Sequence, residues 1–271
     1  MSLPAAQAEH GTLAAPPTWR SVDFISDLHL QASEPETFAA FAHYLANSSA
    51  NALVILGDLF EVWVGDDILE DDHPAWSGFE QQCQRQLAQA AGRMPIFFMH
   101  GNRDFLFGTH AAQACQVHVL QDPNCLIFDG QRWLLSHGDA LCTDDEPYQR
   151  FRQLVRSPAW QQEFLAKPLA ERIEIAKSLR AQSEALKAQS TQLVDVNADL
   201  ARRWLDSARA STLIHGHTHR PAEHALRTNP SAHRWVLSDW DARASPARLE
   251  VLRLQSGQGL RRLRLDAAIM A

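Results

Sequence analysis

The 271-residue chain has no apolar run approaching the ~20 residues of a bilayer-spanning helix, so no helical membrane span is expected. No basic stretch precedes an apolar one at the N-terminus, so no secretory signal is expected and the predicted location is cytoplasmic. Cysteine is scarce. Cys83, Cys115, Cys125 and Cys142 form no C-x-x-C pair and read as small buried hydrophobes in a reducing compartment, rather than as a zinc site or disulfide framework. Positive charge is in deficit, with 25 Lys and Arg against 32 Asp and Glu. The net charge of −7 supplies no global basic field, and no nucleic-acid partner is expected. Internal repeats are absent, as are low-complexity tracts beyond the N-terminal tail. What remains, 45% apolar and 21% charged residues, is ordinary globular composition. The length suits one large domain, or a domain carrying an insertion.

Five segments share one design, an apolar strand running straight into Asp, Asn or His, usually with glycine beside it. They are Phe24-Ile25-Ser26-Asp27-Leu28-His29, Leu53-Val54-Ile55-Leu56-Gly57-Asp58, Ile96-Phe97-Phe98-Met99-His100-Gly101-Asn102-Arg103-Asp104, Trp133-Leu134-Leu135-Ser136-His137-Gly138-Asp139 and Thr212-Leu213-Ile214-His215-Gly216-His217-Thr218-His219. Short apolar runs bounded by turn residues suit buried strands. Strands side by side would bring all five endings to a common edge.

Around these motifs, residues 1–19 read as a disordered tail. Ser33 and Glu36 fit a capping box ahead of a helix with Phe38, Phe41 and Leu45 on one face. Asp66, Asp67, Glu70, Asp71 and Asp72 form an acidic loop, read as solvated with Asp66 or Asp67 supporting the strand-end site. Helices are expected near 78–91 and 109–115, and Asp129-Gly130 predicts a two-residue hairpin. From 144 to about 209 the texture becomes helical and nearly glycine-free. Thr143 with Glu146 predicts another capping box, and Ser157-Pro158 an N-cap followed by proline. Residues 168–189 carry the longest helical pattern, and strands follow near 234–238, 248–254 and 260–264. This insert is read as a lid with Trp160, Phe164 and Leu169 on an inner apolar face, near Lys167, Arg172, Lys177 and Lys187.

Asp27-x-His29 at a strand end directs a carboxylate and an imidazole to one side. Asp58 supplies an oxygen able to bridge two cations, Asn102 an amide oxygen, and His137, His217 and His219 imidazoles. Mixed oxygen and nitrogen donors suit Mn, Fe(II), Zn or Co better than Mg or Ca. Seven donors exceed the needs of one ion and suit two. His100 and His215 each precede a motif glycine and are expected to face the sheet interior.

These motifs resemble the calcineurin-like metallophosphoesterase superfamily over about 20–240. The resemblance implies an α/β (α+β) fold, a four-layer αββα sandwich over 20–265 with the helical lid inserted at 144–209. It implies two metal ions, one held by Asp27, His29, Asp58 and His219, the other by Asp58, Asn102, His137 and His217. Gly57-Asp58-Leu59-Phe60-Glu61, Gly101-Asn102-Arg103-Asp104-Phe105-Leu106 and the turn Leu141-Cys142-Thr143-Asp144-Asp145 look like one branch of it. That branch cleaves the pyrophosphate bond of a UDP-linked diacylated glucosamine in lipid A biosynthesis, with manganese as the metal. The implied partners are this nucleotide-sugar lipid and the cytoplasmic face of the inner membrane, met peripherally by a monomer. Catalytic roles fall on Arg103, Asn102 and Asp58, and substrate contacts on Asn102, Arg103, Asp145, Ser183 and His217. In the lid the branch pattern Ser-x-x-x-Asn-x-x-Lys is broken. Lys187 sits where the Asn would fall and Ser190 where the Lys would fall, and both are expected to contact substrate, with Lys187 doing the lysine's work. A nucleotide phosphodiesterase or nuclease is the competing reading, and a catalytically dead scaffold a third.

Overall fold

The computed structural model describes residues 10–70, 78–189 and 195–270, with side chains described through 181 in the long helix ending at 189. Two six-stranded sheets form its centre. The first is built on four parallel strands, β2 (Ser21–Ile25), β3 (Ala52–Leu56), β4 (Ile96–Met99) and β5 (His118–Leu120). Two antiparallel strands, β11 (Glu250–Gln255) and β12 (Gly259–Arg264), extend it beside β2. The second contains β1 (Gly11–Ala14), β6 (Asn124–Phe128), β7 (Gln131–Ser136), β8 (Thr212–His215), β10 (Ser231–Val236) and β9 (Ala222–Thr228), in that spatial order.

The alternation of side chains along each strand divides the core. In β3, Ala52, Val54 and Leu56 face the second sheet and meet Leu126, Leu135 and Ile214 there. Leu53 and Ile55 face the other way, toward α1 (Pro35–Asn47), α2 (Gly78–Ala91), α3 (Thr109–Cys115) and α8 (Leu265–Met270). On the far side of the second sheet, Leu134, Leu213 and Ala232 pack against α7 (Ala198–Ala208) through Ala201, Leu205 and Ala208. The result is the expected four layers, helices–sheet–sheet–helix. All five residues of β3 are buried. Each such Leu or Ile side chain contributes about 1.5–3 kcal/mol, so the strand bearing Asp58 is among the best-anchored parts of the chain.

The helical block does not behave as one unit. α4 (Glu146–Val155), α5 (Pro158–Leu165) and α6 (Leu169–Gln189) follow the second sheet's first strands, whereas α7 is the sheet's own outer layer. Phe164 and Leu169, expected on a lipid-facing surface, are buried in the core cluster of the first sheet's helices, and Trp160 stacks on Phe164 with ring centroids 4.7 Å apart. Lys167, just ahead of α6, pairs with Glu171, and Lys177 pairs with Glu174 within the helix. Arg172 is buried.

Several local expectations are corrected. Gly11–Ala14, placed in a disordered tail, pair in parallel with β6 through main-chain groups that need no side-chain periodicity, and Leu13, Ala15 and Trp19 pack on the inter-sheet core. The rest of that reading, residues 1–9, lies outside the described residues. α1 starts at Pro35 with Glu34 as N-cap and no side-chain cap bond, since proline's fixed φ sets the first helical position without Ser33. α4 is capped by Asp145, whose carboxylate accepts the Tyr148 N–H at 3.1 Å, in place of Thr143. Ser157 caps α5 as expected, and the hairpin turns at Asp129 and Gly130 with φ of 52° and 72°. Asp71, Asp72 and Ser190 lie outside the described residues, as do the side chains of Ser183 and Lys187.

Candidate active site

β2, β3 and β4 of the first sheet and β7 and β8 of the second all end at one rim, and the turns that follow carry the polar residues. Asp27, His29, Asp58, His217 and His219 all adopt left-handed backbone, with φ of 55°, 48°, 52°, 66° and 52°. Non-glycine residues pay for that conformation sterically, and such residues cluster where function over-determines geometry. The accompanying glycines allow close approach. A Cβ on Gly57 would lie 2.5 Å from His137 Nδ1 and 2.6 Å from the Gly101 Cα, at a φ of +86°.

Asp104 ties the turns together. Its buried carboxylate accepts N–H groups from Gly101 at 2.8 Å, Leu59 at 2.7 Å and Asp58 at 3.3 Å. Burial first, then the neighbouring Asp58 charge, pushes its carboxyl up to about 7. Asp27 is fully buried and accepts from Ser26 Oγ at 2.5 Å and from the His217 N–H at 3.0 Å. Asp58 accepts the Arg103 N–H at 2.8 Å.

The imidazoles are held from behind. His29 Nδ1 lies 3.2 Å from Glu61 Oε2, and His219 Nδ1 lies 3.9 Å from Asp239 Oδ2. The Nε2 atoms of the two rings face each other across 3.3 Å. His219 Nε2 is also 3.2 Å from Asp27 Oδ1. The second arrangement is alike. His137 Nδ1 donates to the Leu56 carbonyl at 2.9 Å, and its Nε2 lies 3.0 Å from Asn102 Oδ1. Asn102 Oδ1 is 2.9 Å from His217 Nδ1. Imidazole nitrogens gathered this closely with carboxylate and amide oxygens form a donor set that cations can share. The donor atoms of Asp27, His29 and His219, and those of Asp27, Asp58 and His137, each lie within 4.8 Å of one another.

The electrostatics agree. Burial works against a charged His137, yet Asp58, Asp139 and Asp27 outweigh it and raise its imidazole to about 9. Burial likewise pushes the Asp27 carboxyl up, but the hydrogen bond and charge of His219 and the charges of His137 and His29 hold it well below the ordinary carboxylate range. A site that favours positive charge this strongly suits bound cations.

His29, Asp58, Glu61, Asn102, Arg103, His217, Thr218 and His219 line a cavity of about 350 Å³. Arg103 reaches over it with Nη1 3.6 Å from Glu61 Oε1. Arg180 of α6 meets the same Glu61 oxygen at 2.5 Å, which brings the helical insert to the cavity wall. Glu61 is therefore a hub that sequence reasoning quoted in a motif but gave no role. Tyr148 was missed too. Its ring stacks on His217 at 6.0 Å, and its hydroxyl donates to buried Asp139 at 2.7 Å, beside Arg152 Nε at 2.7 Å. The only signal available was a tyrosine early in the helix that follows His-Gly-Asp. His215 is buried as expected, whereas His100 is half-buried and bonds the Phe107 carbonyl at 2.7 Å.

A double-sheet sandwich with imidazole, carboxylate and amide donors gathered at its strand ends is the architecture of a metal-dependent phosphoesterase. The chain belongs to the calcineurin-like phosphoesterase family, whose model matches residues 20–221. It is 47% identical over 221 residues to the UDP-2,3-diacylglucosamine hydrolase of Aromatoleum aromaticum, an alignment covering 80% of this chain and 88% of that protein. It is 43% identical to the protein of the same name from Bordetella pertussis, covering 82% and 87%. A third, from Chromobacterium violaceum, is 46% identical, covering 81% and 90%. The family implies divalent metal ions, and the donor sets above fit them.

Proposed function

We propose that this chain is a hydrolase of UDP-2,3-diacylglucosamine, cleaving its pyrophosphate bond to give UMP and 2,3-diacylglucosamine 1-phosphate. The observation that carries the reading is the cavity. His29, His219 and Asp58 from the two clusters of metal-type donors line it beside Asn102 and His217, together with Arg103. Relatives of that name share 43–47% identity with the chain over four-fifths of its length. In this reading Asp27, His29, Asp58 and His219 hold one ion and Asp58, Asn102, His137 and His217 the other, with manganese the metal. Bound there, the ions supply an activated water and a clamp for phosphoryl oxygens.

The chain's own residues do the rest. Arg103, next to Asn102, offers a planar fork to the charge that grows on the phosphate during displacement. Its Nε is buried without a hydrogen-bond partner among the described contacts, a donor held ready for an anion. Asp104 keeps the Asn102–Arg103 turn against the Asp58 turn, so ligand and guanidinium move together. Asp145 has one carboxylate oxygen committed to the α4 cap, leaving the other for substrate, with Ser183, Lys187 and Ser190 as further contacts. Among the described residues, no helix is long and apolar enough to cross a membrane. Phe151 and Leu154 on α4 and Leu165 on α5 are nevertheless exposed large apolar side chains. They support peripheral contact with a lipid surface from which the acyl chains are drawn.

The test is a comparison of substrates with Mn²⁺-loaded protein. UMP release from UDP-2,3-diacylglucosamine is expected at a kcat/KM several orders of magnitude above bis-p-nitrophenyl phosphate, with no cleavage of single-stranded DNA. Comparable rates on all three would leave a phosphoesterase of another substrate class.

A further inference from the structure

A second cavity, of about 270 Å³, opens at the opposite end of the first sheet, where Arg20, Ser49, Arg253, Gln258 and Arg261 contribute to its lining. It lies at the start of β2, and β2 reaches the active rim only at Asp27. The two sites are separated by roughly 20 Å of extended chain. Nothing in phosphodiester hydrolysis at the rim requires it.

Its centre is a built feature. Arg253 is only 3% exposed, and its Nε and Nη2 are committed to Asp23 at 2.7 and 2.9 Å, with Nη2 also donating to the Ala268 carbonyl at 2.7 Å. Nη1 is left with one long bond, 3.4 Å to Ser49 Oγ in the cavity wall. Asp23 neutralises this first guanidinium. No acidic group among the described residues neutralises the other two. Arg20 has its backbone N–H fixed by Asn51 Oδ1 at 2.7 Å, with no described side-chain partner. Arg261 meets only the neutral Gln258 Oε1, at 3.4 Å. Asp129, the carboxylate bonded to the adjoining β11–β12 turn, is occupied by Ser256 Oγ and the Gly257 N–H. Two uncompensated positive charges therefore share one small concavity, in a chain whose net charge is −7.

The guanidinium groups of Arg20 and Arg261 and the remaining Nη1 edge of Arg253, with the Ser49 hydroxyl and Gln258 amide beside them, match the acceptor oxygens of a tetrahedral dianion. The volume is below that of pockets for drug-sized ligands. We propose that the Arg20–Arg253–Arg261 cavity binds a small phosphate dianion, either free or as the phosphate of a monoester.

The experiment is calorimetric titration of the Mn²⁺-loaded enzyme with inorganic phosphate, and separately with UMP, against an Arg20→Gln/Arg261→Gln variant. Both arginines are exposed, so the variant is expected to keep its melting temperature and its kcat/KM on the proposed substrate. Phosphate or UMP should fill two classes of site in the parent. In the variant the class outside the metal centre should weaken at least tenfold. A tighter parent constant for UMP identifies a monoester as the occupant, and one for phosphate the free anion. Identical stoichiometry and affinity in parent and variant, for both ligands, would overturn the proposal.

Discussion

Arg172 offers the sharpest test of how α6, whose Arg180 meets Glu61 in the cavity lining, is anchored. It is 1% exposed, at the start of α6, and has partners on the turn after β3. Its Nη1 donates to the Val64 carbonyl at 2.5 Å and to Asp67 Oδ1 at 3.0 Å, its Nη2 pairs with Asp67 Oδ2, and its Nε donates to the Lys167 carbonyl at 3.0 Å. Removing one partner of a fully buried ion pair costs about 3–5 kcal/mol. Asp67 is half-exposed and regains water when its partner leaves, which reduces the figure. The carbonyls of Val64 and Lys167 lose a charged donor, however, and a guanidinium-sized void remains. Arg172→Ala should thus destabilise the protein by about 2–3 kcal/mol. For a chain of this size that is a fall in melting temperature of about 4–10 °C. Because α6 also carries Arg180 to Glu61, KM for the acylated substrate should rise. Metal content should be unchanged, since the donors sit on strand ends that Arg172 does not touch. Calorimetry, metal analysis and steady-state kinetics on the variant read all three. An unchanged melting temperature with normal KM would show that α6 does not depend on this anchor.

Further outcomes follow from other residues. Arg103→Ala should keep its metal and lose kcat by about two orders of magnitude, because the group serves developing charge; loss of metal that added Mn²⁺ reverses would make the residue structural. Burial raises the Asp195 carboxyl, but its bonds to Arg234 at 2.7 and 2.9 Å outweigh that and lower it, so the pair stabilises the fold above the unfolded carboxylate value of about 4 and loses that contribution as pH falls through the folded value. The stability gap between parent and Asp195→Asn in urea should therefore be widest near neutrality and close in acid, and a gap independent of pH would refute the assignment. Leu154→Ser, at a position 55% exposed, should leave stability and bis-p-nitrophenyl phosphate turnover within error while raising KM for the diacyl substrate several-fold. Equal effects on both substrates would remove α4 from lipid contact.

The strand endings were legible because an apolar run of strand length meets a ligand-type side chain in each of them, with a glycine beside it in all but the β2 ending. β3 shows why this works, since a strand buried on both faces must be apolar throughout and must stop where polar groups begin. The supporting residues were less visible. Asp104 and Glu61 act through what lies behind a turn, and a lone carboxylate carries no periodicity to reveal that. The helical block misled for a related reason. An amphipathic helix discloses that one face is covered, not by what, and α7 covers a sheet while Phe164 and Leu169 complete a core. β1 was missed because edge pairing uses main-chain groups that every sequence possesses.

The most direct test is UMP release from UDP-2,3-diacylglucosamine by parent and Asp58→Asn proteins, with metal content measured on the same samples. Asp58 belongs to the donor cluster that also holds Asp27 and His137; in the proposed mechanism it is the ligand shared by two cations, and a neutral amide bridges two cations poorly. The account predicts rapid UMP release by the parent and a loss of several orders of magnitude in the variant, with the fold intact by circular dichroism. A folded variant that binds metal and releases UMP at the parental rate would contradict it.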